Sequence, residues 1–188
     1  PTPLFYEKAN WDADTRRDRL QTLVTLGRSF LPFEKPRSTK PVIFTSAKSI
    51  MTRTAPRRDF LSACSVLRVQ TSTSMTTLAQ KWTAIGYAAA EIVVSEGQFS
   101  KRGGLMDIWP IHCTNPIRID FFGDEIETIR MFDPATQRTI DSINEVFIPP
   151  ANEAIKVFVD ENEVDPLDRY PEFYIPQLFK SNASLLDY

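Results

Sequence analysis

The chain has 188 residues, room for one ordinary domain or two small ones, with 42% apolar and 24% charged residues. That balance, with 13 Phe and 3 Trp, supplies a sizeable core and argues against disorder. A formal net charge of −2 gives no overall basic field for nucleic acid, and two distant cysteines (Cys64, Cys113) with one histidine (His112) leave little for a disulfide framework, a zinc site or a His-based triad.

No apolar run reaches the roughly 18–20 residues that span a membrane, and no positively charged start followed by an apolar stretch suggests a signal peptide. The start Pro1-Thr2-Pro3 and the end Leu185–Tyr188 read as those of a piece cut from a longer protein.

In chain order, residues 12–30 predict a helix. Asp12 is its cap, with Thr15 as another candidate. Leu20, Leu23, Val24, Leu26 and Phe30 form its apolar stripe, and Arg16, Arg17 and Arg19 lie on the wet side. Pro32, Pro36 and Pro41 mark a loop. The run Val42-Ile43-Phe44 reads as a buried strand leading into a short helix at Ala47–Thr54, the order found in a parallel α/β layer. A helical turn follows from Pro56. Val66–Val69 reads as a strand, Thr76–Ile85 as a helix stopped by Gly86, and Ile92–Val94 as a strand. Short strands then follow at Gln98–Arg102, Leu105–Trp109, Ile117–Phe122, Ile126–Phe132 and Glu145–Ile148. Gly103-Gly104, Pro110, Asn115-Pro116, Gly123-Asp124 and Asp133-Pro134 separate them. This is an antiparallel meander, so a small α+β domain is expected over about 65–149. The tail, acidic at Asp160–Asp168 and aromatic over Tyr170–Phe179, has too little periodicity for an assignment.

Four clusters are candidates for chemistry. Gly97, Gly103 and Gly104 near Lys101 and Arg102 have the wrong spacing for a phosphate loop, and a strand follows where a helix is required, so a hairpin turn is expected. Asp120, Asp124, Glu125, Glu127 and Asp133 read as a solvated sheet face paired with arginines. Arg53, Arg57 and Arg58 with Arg16, Arg17 and Arg19 could form a basic patch for DNA, against which the acidic balance argues. The fourth is the strand Ile117–Phe122. Ile117, Ile119 and Phe121 take one face; Arg118, Asp120 and Phe122 take the other. The first set is the core face. An aromatic beside an arginine on an open sheet has the composition of a protein-binding hot spot, and Arg102 joins that face if the strands pair as a meander. The alternative is that a helix covers this face and Phe122 belongs to a second core.

The stretch Glu96-Gly-Gln-Phe-Ser-Lys-Arg-Gly-Gly-Leu-Met-Asp-Ile-Trp-Pro110 resembles a signature shared by the bacterial transcription-repair coupling factor (Mfd) and the excinuclease component UvrB. So does Ile117-Arg-Ile-Asp-Phe-Phe-Gly-Asp-Glu-Ile-Glu127, followed by Phe132-Asp-Pro and Thr136-Gln-Arg-Thr139. Ser49-Ile-Met-Thr-Arg-Thr54 and Pro149-Pro-Ala-Asn-Glu153 are similar to the coupling-factor family. The resemblance covers most of residues 4–154, and Ser184–Tyr188. It departs over 155–172, where that family has a longer stretch.

The resemblance implies a partial Rossmann-like, degenerate UvrB-like lobe interrupted by a small α+β domain on an antiparallel sheet. Residues 1–64 would be part of domain 1a, 65–149 the UvrA-binding domain, and 150–188 part of domain 1b. It implies no catalytic residue and no cofactor in this piece, a cytoplasmic location, and UvrA as partner through Arg102, Arg118 and Phe122; a single copy is expected because no heptad or extra apolar stripe demands a partner copy. The full-length family member is an ATP-dependent DNA translocase that also meets RNA polymerase and double-stranded DNA. The rival readings are a direct DNA-binding module and an ATP-hydrolysing fragment.

Overall fold

A computed structural model describes residues 12–28, 30, 42–153, 175, 179 and 183–188. The expectations for the first residues, for the proline loop up to Pro41 and for 155–172 lie outside them. The chain divides into two compact units: residues 1–62 with 152–188, and residues 63–151.

In the first unit, α1 (Ala13–Arg28) starts where expected. The Asp12 carboxylate accepts from the Thr15 backbone N–H at 2.7 Å, and this bond holds its pKa down at about 2. Leu20, Leu23, Val24 and Gly27 are buried. Phe30 is exposed instead, with the Arg57 guanidinium 4.1 Å above its ring. Arg19 is also not on the wet side, because it closes on Glu153 inside the unit. Helices α2 (Ala47–Met51) and α3 (Arg57–Ala63) are short. Phe60 of α3 is fully buried, edge-on to Tyr188, whose hydroxyl donates to the Ala55 carbonyl at 2.9 Å.

The strand expected at Val42–Phe44 does not form. All three residues are exposed, Phe44 by 94%, and they pair with no described strand. Three consecutive apolar residues carry no period, so nothing in them demanded a sheet. The parallel layer inferred from them is likewise absent among the described residues.

The second unit is a small α+β domain. Strands β1 (Ser65–Arg68) and β8 (Glu145–Ile148) make an antiparallel two-stranded ladder. The main sheet has six strands in the order β2 (Ala88–Ala89), β3 (Gln98–Arg102), β4 (Leu105–Ile108), β5 (Ile117–Phe122), β6 (Glu125–Phe132) and β7 (Thr139–Ile143). β3 to β7 form the antiparallel meander; β2 joins parallel to β3. The strand expected at Ile92–Val94 is replaced by β2 just before it, and only Val93 of that run is buried.

Helix α4 (Met75–Ala84) is capped by Ser74, whose side chain accepts from Thr77 N–H, and it ends before Gly86 at φ 96°. Its stripe of Leu78 and Trp82 faces the sheet, with Trp82 edge-on to Phe99 at 5.5 Å. Phe99, Met106, Ile108, Ile117, Ile119, Phe121 and Ile129 make the buried face beneath it. Because side chains alternate along a strand, the other face must carry the polar half of β3, β4, β5 and β6.

Candidate protein-binding face

The register fixes what that polar face contains. Ser100, Asp107, Arg118, Arg130 and Ser142 lie in one cross-strand row; Arg102, Leu105, Asp120 and Thr128 lie in the next. Phe122 follows Asp120 by two residues on the same side, opposite Glu125. The three residues singled out from the sequence therefore share one face, and α4 lies on the other.

Phe122 is 81% exposed, so it belongs to no second core. It stands at the end of β5, where the Phe121 N–H donates to the Gly104 carbonyl at 2.9 Å. Gly103-Gly104 is the turn of the β3–β4 hairpin, as expected, rather than a phosphate cradle. Gly103 takes φ 58°, and a Cβ on Gly104 would come within 3.2 Å of the Phe121 oxygen. A side chain would be strained at Gly103 and crowded at Gly104.

Arg118 is held on three sides. Its Nε donates to Asp107 Oδ1 at 2.7 Å and its Nη2 to Asp107 Oδ2 at 2.8 Å. The same Nη2 donates to Gln137 Oε1 at 2.9 Å. The guanidinium lies 4.4 Å above the buried Phe132 ring. Hydrogen bonding to Asp107 raises its already high pKa, so the charge is permanent. The Nε–Nη2 edge of Arg118 is thus occupied internally. Arg102 is different: its side chain is 49% exposed and makes one 3.3 Å contact with Asp107 Oδ2.

Sequence reasoning missed Asp107. It sits inside Leu-Met-Asp-Ile, an apolar-looking strand, and strand parity measured from Met106 and Ile108 was the signal that could have placed it on the polar face. Of the carboxylates expected to pair with arginines, Asp120 does so. Arg130 Nε donates to Asp120 Oδ2 at 3.0 Å, Thr128 donates to the same oxygen, and Asp133 caps its own turn through Ala135 and Thr136 N–H. The six-arginine basic patch does not assemble. Arg19 is withdrawn onto Glu153, Arg17 pairs with Asp14, and Arg57 lies over Phe30. His112 packs edge-on to Phe147.

No cluster of three or more His, Cys, Asp or Glu able to hold a metal ion occurs among the described residues. No helix among them is long and apolar enough to cross a membrane.

Residues 66–153 match the family model described as the UvrB interaction domain. A transcription-repair-coupling factor of Myxococcus xanthus is 31% identical over 152 residues, covering 81% of this chain and 12% of that protein. The Escherichia coli protein of the same name is 27% identical over 184 residues, covering 94% of this chain and 15% of its own length. The UvrABC system protein B of Thermosynechococcus vestitus is 36% identical over 93 residues, half of this chain and 14% of the relative. The chain thus spans well under a fifth of each of these proteins. Residues 66–153 thus match the UvrB interaction domain, and the chain is similar over most of its length to transcription-repair-coupling factors.

Proposed function

We propose that this chain is a non-catalytic docking module whose polar sheet face binds UvrA in nucleotide excision repair, with Arg102, Arg118 and Phe122 as contact residues. One observation carries the reading: an exposed aromatic, Phe122, on the same sheet face as the fixed Arg118 and the half-exposed Arg102, opposite the face that packs against α4. Aromatic and arginine side chains dominate binding energy at protein interfaces. The name of the matched family, an interaction domain, supports the reading, as do the names of the relatives, transcription-repair-coupling factor and UvrABC system protein B. Phe122 is the apolar anchor, and Arg102 and Arg118 meet acidic groups of UvrA.

Residues 1–64 and 150–188 are, in this reading, parts of a Rossmann-like, UvrB-like lobe into which 65–149 are inserted. The full-length protein couples the module to an ATP-dependent DNA translocase that acts on RNA polymerase stalled on double-stranded DNA in the cytoplasm, and this face recruits UvrA.

Calorimetric titration of the chain against purified UvrA tests it. Phe122→Ala is expected to lose about 2–4 kcal/mol of binding, the cost of truncating a central anchor, with an unchanged circular dichroism spectrum. Binding that is indifferent to Phe122 overturns the assignment.

A further inference from the structure

We infer that Asp107 is the positioning residue of this face: one buried carboxylate that fixes Arg118 for an acidic group of the partner and holds Arg102 loosely enough for that group to take it over. The inference rests on the UvrA-binding reading and adds a residue and a ligand chemistry to it.

The Asp107 side chain is 3% exposed. A carboxylate that deep in a sheet must be compensated by charge and hydrogen bonds. Arg118 does this with two bonds, at 2.7 and 2.8 Å, from neighbouring strand β5. Arg102, from β3 on the other side, adds a third at 3.3 Å to an oxygen that Arg118 already occupies. Asp107 therefore stays satisfied if Arg102 leaves, and is stranded if Arg118 leaves. The two arginines have different parts. Arg118 is fixed by Asp107, Gln137 and the Phe132 ring, and only its Nη1 has no internal partner among the described residues. Arg102, half exposed on a single long bond, can turn its whole fork outward. A partner carboxylate then meets one donor whose orientation is set in advance and one that adapts. Fixing the first before encounter removes its ordering cost from binding.

The test titrates UvrA into the wild-type chain, Asp107→Asn, Arg118→Ala and the double variant. Asparagine keeps the shape of Asp107 but loses its charge and half of its acceptors. Asp107→Asn is expected to weaken binding roughly 5- to 10-fold through faster dissociation, and the loss should vanish in the Arg118→Ala background, since the two residues act as one unit. Nitrogen-15 spectra of the free chain provide a readout independent of UvrA: the Arg118 Nε–H resonance, protected in the wild type, should broaden by exchange in Asp107→Asn. Gln137→Ala, at an exposed turn, should reproduce a milder form of both effects without touching the buried carboxylate. Wild-type affinity in Asp107→Asn, an equal loss with and without Arg118, or an undisturbed Nε–H resonance each overturns the positioning role. Absence of UvrA binding by the wild-type chain overturns the docking reading beneath it, whereas binding indifferent to Asp107 overturns the positioning alone.

Discussion

Arg19 and Glu153 are 134 positions apart in sequence, yet the Arg19 Nε–H and Nη2–H meet the two Glu153 carboxylate oxygens at 2.6 and 3.0 Å, with the side chains 8% and 3% exposed. The pair is tied into the backbone as well. Arg19 Nη2 donates to the Arg53 carbonyl, and Glu153 Oε1 accepts from the Ala55 N–H at 3.1 Å. It joins α1, the loop before α3 and the returning chain within one unit. Removing one partner leaves the other charged and dry, so Arg19→Ala or Glu153→Ala should each cost about 3–5 kcal/mol. Urea denaturation checks this, and a loss below about 1 kcal/mol would show the pair to be dispensable.

Phe122 and Phe132 form a contrasting pair on one sheet face. Phe132 is buried under the Arg118 guanidinium, so Phe132→Ala should destabilise by about 3–5 kcal/mol. Phe122 has almost no internal contacts to lose, so Phe122→Ala should stay within about 0.5 kcal/mol of wild type. Thermal melts of both variants separate the scaffold aromatic from the presented one.

Arg118 and Arg102 should separate in the same way. Arg118→Ala strands Asp107 and is expected to cost about 2–4 kcal/mol of fold stability. Arg102→Ala leaves Asp107 with its stronger partner and should cost under about 1 kcal/mol. Binding data on Arg118→Ala therefore need a melt beside them, while those on Arg102→Ala can be read directly.

Burial pushes the Cys64 thiol from an ordinary value of 9.0 up to about 12. The folded state thus keeps a proton that the unfolded chain gives up. The resulting stability is complete below about pH 9 and declines as pH rises toward 12. The buried Tyr87 hydroxyl, raised first by desolvation and donating to the Pro149 carbonyl, acts in the same direction. Denaturation midpoints should therefore fall as pH rises from about 9 toward 12, and fall less steeply in Cys64→Ala. An unchanged slope in that variant would remove Cys64 as a source.

Much of this was legible in the sequence because it is local. The alternation Ile117-Arg118-Ile119-Asp120-Phe121-Phe122 states which side of β5 is buried, and Gly86 marks the end of α4. Other features were hidden because they depend on distant or aperiodic residues. Arg19 looked solvated since its partner lies far along the chain. Asp107 looked like an interruption in an apolar strand until Arg118 was placed opposite it. β7 went unread because an edge strand exposed at four of its five residues carries no apolar alternation. Val42–Phe44 looked like a strand since a short apolar run resembles one whether or not it finds a neighbour.

The ladder between β1 and β8 pairs Ser65 with Ile148 and Arg68 with Glu145. The polypeptide therefore leaves the second unit beside the point where it entered, with its two end strands running antiparallel. Tension applied through residues 65 and 148 would act across that ladder and open it one rung at a time, the weakest way to load a pair of strands. Such a unit yields first at its neck, and the six-stranded sheet with its Phe122 face survives as a tethered bead.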